Sequence, residues 1–244
     1  MKNQKTKEQL ISHKDDALKK LDILITEKIN SDSEREMKSA DLLSYWIEDY
    51  ARFLKKERTF DSSKIIRYRK GDIVKMHLGY RLGSEEGGLH YGVVFDVNNS
   101  LHSNTVTVIP LTSHKKGKRV HSNDVYLGKE LFQTIIGKHD ALFNEIQQEL
   151  KAILSNPNSR LSQENVARAQ VLHDKLSELE TLRANILKMK EGSIALVKQV
   201  VTISKMRIYD PMYQHHVLYG IRLSPTTISV IDEKFCELFI SKKN

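Results

Sequence analysis

The chain has 244 residues, with 39 Lys and Arg against 31 Asp and Glu, a formal net charge of +8 and a pI near 9.3. That length suits one large domain or one domain with appendages, and the basic surplus favours an anionic partner, of which RNA is the commonest, although a soluble protein can also simply be basic. A single cysteine, Cys236, excludes an intramolecular disulfide, and no apolar stretch follows Met1-Lys2-Asn3-Gln4-Lys5-Thr6 or runs to about 18 residues elsewhere, so the expectation is a soluble cytoplasmic protein with no signal peptide and no membrane partner.

Up to about residue 58 the pattern is helical. Ile11, Leu18, Leu21 and Ile25 form one stripe, and Leu43, Trp46, Ile47, Tyr50 and Leu54 form a second. Between them Asn30-Ser31-Asp32-Ser33 reads as a turn or N-cap cluster, so two helices in a hairpin are expected, with Trp46 packed. From about residue 67 the pattern changes to short β-branched runs separated by Gly, Asn and Ser: Ile73 to Leu78, Tyr91 to Val97, Thr105 to Leu111, Val120 to Leu127, Ser193 to Val201 and Val217 to Leu223. Such runs suit a compact, mostly antiparallel barrel or sandwich.

Residues from about 130 to 190 interrupt the β pattern. Leu142, Ile146, Leu150 and Ile153 make one helical stripe and Leu172, Leu176, Leu179, Leu182 and Ile186 another, with Asn156-Pro157-Asn158-Ser159 breaking them. A helical hairpin with a coiled-coil-like seam follows, its charges on the solvated face or, less simply, forming a protein docking surface. The chain closes with Ser224-Pro225 and a stripe of Ile228, Ile231, Phe235 and Leu238, a helix with proline in its first turn. The expected division is a helical extension over 1–62 and a β domain over 63–244, interrupted at about 130–190.

Three ordered motifs carry more specific information. The first is Arg69-Lys70-Gly71-Asp72-Ile73-Val74, continuing through Gly83-Ser84-Glu85-Glu86-Gly87-Gly88-Leu89-His90-Tyr91-Gly92-Val93-Val94. The second is Thr105-Val106-Thr107-Val108-Ile109-Pro110-Leu111-Thr112-Ser113. The third is Ser193-Ile194-Ala195-Leu196-Val197-Lys198-Gln199-Val200-Val201-Thr202-Ile203-Ser204-Lys205. Together they resemble the MazF/PemK toxins. The resemblance implies an α+β fold: a small SH3-like, MazF-type antiparallel β-barrel with a C-terminal helix, here with an N-terminal helical extension and an inserted helical hairpin that the compact family members lack.

It also implies a sequence-selective, metal-independent endoribonuclease acting on single-stranded RNA through a 2′,3′-cyclic phosphate, without a cofactor. Such a toxin is expected to work as a homodimer and to be inhibited by a cognate antitoxin. Transfer to a neighbouring hydroxyl needs a base, an acid and donors for the charged phosphorane. Where the family carries an arginine after the glycine-rich loop, this sequence has His90. Histidine suits proton transfer near neutral pH but lacks the permanent, bidentate charge of arginine. His90 is therefore either a replacement acid or base, or the mark of a barrel that kept its shape and lost its cut.

Thr112 stands where the resemblance places a hydroxyl on the scissile phosphate, with Ser113 beside it; a strand-end cap is the plainer use of such a residue. Glu85 is a candidate proton acceptor or organiser of cations, or a solvated loop acid. Ser84, Gly87 and Gly88 would let a phosphate approach the backbone, or merely form a mobile hairpin loop. Lys115, Lys116, Lys118 and Arg119 offer a phosphate track or a solvated charged loop. Gln199 matches a glutamine on a late strand of the family, while Val201 replaces a second arginine and Lys198 offers a charge nearby. Tyr80 and Arg81 are candidates to stack on or clamp a base.

Metal chemistry has little support. His215 and His216 are adjacent, no His or Cys pair has helical ligand spacing with a third partner, and no phosphate-binding loop, dinucleotide fingerprint or nucleophile elbow is present. The competing functions are a non-catalytic RNA-binding or regulatory module on the same barrel, and a protein-targeting toxin like the related CcdB barrel.

Overall fold

The computed structural model describes residues 5–155 and 162–241, which divide into two compact units. The expected break at Asn156-Pro157-Asn158-Ser159 lies outside the described residues.

The first unit holds the described residues up to Phe60 together with Gly79–Gly88. Helix α1 (Lys7–Ile29) opens with a capping box: the Thr6 hydroxyl accepts from the Gln9 N–H, and the Gln9 side chain accepts from the Thr6 N–H at 3.0 Å. Helix α2 (Glu34–Glu57) is capped by Ser33, the last residue of the expected turn cluster. The α2 stripe is narrower than its spacing suggested. Ala40, Leu43 and Phe53 are buried and Trp46 packs against Tyr50 and Phe53, whereas Tyr50 and Leu54 stay about half exposed. No residue of α1 is buried, and Ile11 and Leu18 of the earlier stripe lie open.

The second unit is built on one antiparallel sheet. In chain order its elements are β1 (Ile73–His77), β2 (Leu89–Val94), β3 (Thr105–Ser113), β4 (Val125–Tyr126), α3 (Glu130–Ser155), α4 (Gln163–Leu187), β5 (Ser193–Ala195), β6 (Val201–Ser204), β7 (Ile208–Asp210) and α5 (Pro225–Phe239). The paired order is β4-β5-β3-β2-β1-β7, with β6 also on β3. This is the expected α+β architecture with its added helices. The pairing path ends at β4 and at β7, so among the described residues the sheet does not close into a ring.

Three expected strands come out differently. The run from Ser193 to Val201 splits, because β5 pairs Leu111 with Ala195 whereas β6 pairs Val108 with Val201; continuing the first register would have set Val108 opposite Lys198. The break falls beside Pro110, which has no N–H to donate, although its carbonyl accepts from Leu196 at 2.9 Å. A 3-10 turn at Val197–Gln199 takes up the slack. The run from Val120 to Leu127 contributes only β4. The run from Val217 to Leu223 is mostly turns, tied to the start of β1 by Ile73 N–H to Ile221 O and Leu223 N–H to Gly71 O, both 3.0 Å. The short β7 beside β1 had no periodic signal in three residues.

Alternation along β1, β2 and β3 sends Ile73, Val93, Ile109 and Leu111 to one face, where they meet Ala195, Leu131 and Ile135 of α3, Ile186 of α4, Met189 and Ile231 of α5. The inserted hairpin therefore contributes its base to the central core. Farther out, its seam is apolar as expected, with Leu172 and Leu179 buried. Within it His139 is buried, its ring nitrogens 2.9 Å from Asp140 Oδ1 and from the Leu179 carbonyl, while Arg183 grips Asp140 at 2.6 Å. Lys205 is fully buried: its ammonium donates to the Ser100 carbonyl at 2.7 Å and fixes the β2–β3 loop, although burial pushes its pKa down. No helix among the described residues is long and apolar enough to cross a membrane.

Candidate active site

The second unit contains a pocket of about 310 Å³ where β2 begins, β3 ends and α4 returns to the sheet. His90, Thr112, Ser113 and Lys115 line it, which brings four of the sequence-derived candidates together. The sheet register explains the meeting. β2 and β3 pair Tyr91 with Leu111, so one further step sets His90 opposite Thr112. The His90 Nδ1 lies 3.4 Å from the Leu111 carbonyl.

Five further polar residues had no separate signal in the sequence: Lys75, Tyr91, Asn185, Lys188 and Ser193. Lys75 faces Tyr91 on one side and Asp210 on the other. A charged residue at the same strand parity as Ile73 was the one available clue. Ser193 pairs with Ser113 across β3 and β5. Asn185 and Lys188 come from the last turn of α4 and its C-cap, and the Lys188 ammonium donates to Asn185 Oδ1 at 2.9 Å.

Three lysines line this pocket, and no carboxylate does. The acid closest in the register is Asp210, whose carboxyl burial pushes above the usual range, partly offset by the Leu218 N–H donating to it at 3.1 Å. Burial, with Asp210 nearby, also raises the Tyr91 phenol, to about 12. The folded state therefore keeps this proton where the unfolded chain, near 10.0, releases it. The stability this contributes is whole below pH 10 and lost as pH rises towards 12, on the order of 2 kcal/mol. Denaturant unfolding should show that extra alkaline loss in the wild type and less of it in Tyr91→Phe, with buried Tyr68 adding its own part in both. Identical alkaline slopes would count against it.

The remaining candidates lie elsewhere. Ser84, Glu85, Gly87 and Gly88 belong to the 79–88 loop of the first unit and are not among the pocket residues. That loop is closed by the Gly88 N–H on the Gly79 carbonyl at 2.8 Å, and Gly88 has φ +79°. A Cβ on Gly87 would come within 2.9 Å of the Gly79 carbonyl oxygen, so glycine is required there for closure. Glu85 is exposed, 3.6 Å from Arg81, and the Tyr80 hydroxyl shares a 2.6 Å hydrogen bond with Ser39 of α2. Lys116, Lys118 and Arg119 are exposed on the turn after β3, held by the Lys118 N–H on the Lys115 carbonyl at 3.0 Å. Gln199 sits half-buried in the 3-10 turn between β5 and β6, not on a strand.

Residues 69–170 match a protein-family model described as the PemK-like, MazF-like toxin of type II toxin-antitoxin systems. This stretch is similar to the PemK/MazF toxins. The match runs from the lead into β1 to the first turns of α4, about two fifths of the chain, and so includes His90, Thr112, Ser113 and Lys115. The third motif, 193–205, falls outside it. No curated protein matches the chain. The matched family comprises toxins of the type II class, which are paired with antitoxins.

Among the described residues no group of three or more His, Cys, Asp or Glu gathers as a metal-binding set. The pocket offers an imidazole, hydroxyls, and ammonium groups that favour developing negative charge.

Proposed function

We propose that this protein is a sequence-selective endoribonuclease that cleaves single-stranded RNA without a metal, the toxin of a toxin–antitoxin pair, acting in the cytoplasm as a homodimer. The observation that carries the reading is the meeting of His90 and Thr112 in a pocket with three lysines and no lining acid. The ribose 2′-oxygen attacks the adjacent phosphorus as its proton leaves, the P–O5′ bond breaks, and the 5′-oxygen takes up a proton. The products are a 2′,3′-cyclic phosphate and a 5′-hydroxyl.

In this scheme His90 moves one of these protons, Thr112 donates to a non-bridging oxygen, and Lys115 stabilises the phosphorane. Glu85, with Ser84, Gly87 and Gly88 on the 79–88 loop, is proposed as a separate RNA-contacting element whose carboxylate can accept a proton. Lys116, Lys118 and Arg119 lead the strand away from the centre, and Gln199 contributes a binding contact.

The test is incubation of the purified protein with a long single-stranded RNA, with and without EDTA, followed by analysis of the new ends. Cleavage that survives EDTA and leaves cyclic phosphate is expected. RNA that is bound but never cut would favour a non-catalytic RNA-binding module. Absence of both binding and cutting would favour a protein-targeting toxin.

A further inference from the structure

Two buried hydroxyls in the pocket have no hydrogen-bond partner, Tyr91 Oη and Ser193 Oγ. Buried polar atoms are seldom left unpartnered, because each then bears its full desolvation cost. Both line the same wall as Lys75 and Ser113, their cross-strand neighbours. Opposite the sheet register, the returning end of the inserted hairpin adds Asn185 and Lys188. The Asn185 carbonyl oxygen holds the Lys188 ammonium at 2.9 Å, which leaves that ammonium two further protons to donate.

The set is thus two hydroxyls able to donate and two ammonium groups, converging without a lining carboxylate. A nucleobase edge presents donors as well as acceptors and would meet acceptors in its pocket. A phosphoryl group presents acceptors only, carries negative charge, and satisfies every member of this set.

We propose that Lys75, Tyr91, Lys188 and Ser193 form a phosphate-holding subsite, and that the inserted hairpin, through Asn185 and Lys188, is a working part of the substrate site. This rests on the RNA-cleaving reading in taking the phosphate to be that of a nucleotide next to the cut. The hairpin then decides where the strand is gripped, and a toxin lacking it would grip the RNA differently. The shared chemistry fits an internal phosphodiester, a terminal phosphate monoester or free inorganic phosphate.

The test is binding of a short all-deoxy oligonucleotide, which lacks the attacking 2′-hydroxyl and so cannot be cut. It is labelled for fluorescence anisotropy, prepared with and without a 5′-phosphate, and measured across a salt series, with inorganic phosphate as competitor. In the wild type, equal affinity for both oligonucleotides assigns the subsite to an internal diester, a 5′-phosphate preference assigns it to a terminal monoester, and competition by millimolar phosphate alone assigns it to the free ion.

Lys188→Ala is expected to weaken binding about tenfold and to reduce the salt slope by roughly 0.7, as for one lost contact to a single strand. Lys151→Ala, at an exposed hairpin lysine outside the pocket, should leave both unchanged. Tyr91→Phe and Ser193→Ala should bind more weakly yet unfold at the same temperature as the wild type or a higher one, because each removes an unpartnered buried hydroxyl. Wild-type affinity and salt slope in Lys188→Ala, or full affinity in both hydroxyl variants, would overturn the subsite. If the wild type binds phosphate through Lys188 but cuts no RNA, the subsite stands and the nuclease reading falls. If it cuts RNA and Lys188→Ala binds normally, the reverse holds.

Discussion

His90→Ala is expected to lower the RNA-cleavage rate by about 10²- to 10⁴-fold, the range that one positioned proton-transfer group supplies. RNA affinity should fall far less, because the pocket's lysines remain to hold the phosphates. The measurement is single-turnover cleavage of a defined oligoribonucleotide at saturating enzyme, paired with binding of its uncleavable analogue. His90→Arg sharpens the result. It installs the guanidinium that the MazF/PemK resemblance calls for, but gives up an imidazole that exchanges protons near neutral pH. If His90→Ala cuts as fast as the wild type, another group transfers the proton and the assignment of His90 falls.

Ile135→Ala is expected to destabilise the second unit by about 2–5 kcal/mol, the range for truncating a large aliphatic side chain in a close-packed core. Ile135 is fully buried in the cluster that joins β1, β2 and β3 to α3, α4 and α5. The lost methyl and methylene groups leave a cavity that elements fixed on several sides cannot collapse to fill. Urea unfolding followed by far-UV circular dichroism checks the value. Leu18→Ala, at a half-exposed position of α1, serves as the contrast and should change stability by less than about 0.5 kcal/mol. If Ile135→Ala is as mild as Leu18→Ala, the hairpin is an appendage hung on the sheet and not a wall of its core. The subsite at Asn185 and Lys188 would then lose its rigid support.

Much of the fold was legible because its signals are local. Helix α5 was readable from Ser224, Pro225 and an apolar stripe, and the Ser224 hydroxyl does accept from the Thr227 N–H at 3.3 Å. The turn between α1 and α2 was readable from Asn30 to Ser33, and β1 and β3 from their β-branched runs. The strand from Ser193 to Val201 was misread because nothing in that segment reveals the proline opposite it on β3. The exposure of Leu54 and Tyr50 was equally hidden, since apolar spacing marks a face without saying whether anything covers it.

The candidate site divides the same way. His90, Thr112 and Ser113 were found because each lies within a linear motif, and Lys115 because it belongs to a local run of cations. By itself, then, the sequence determined the helices and the central strands, the toxin-family likeness of its three motifs and the departure at His90, all properties of contiguous residues. The tertiary structure alone decided that Lys75, Tyr91, Ser193, Asn185 and Lys188 share one pocket with them. Those residues lie up to about 120 positions apart in the chain, and only the strand register and the return of α4 onto the sheet bring their side chains together.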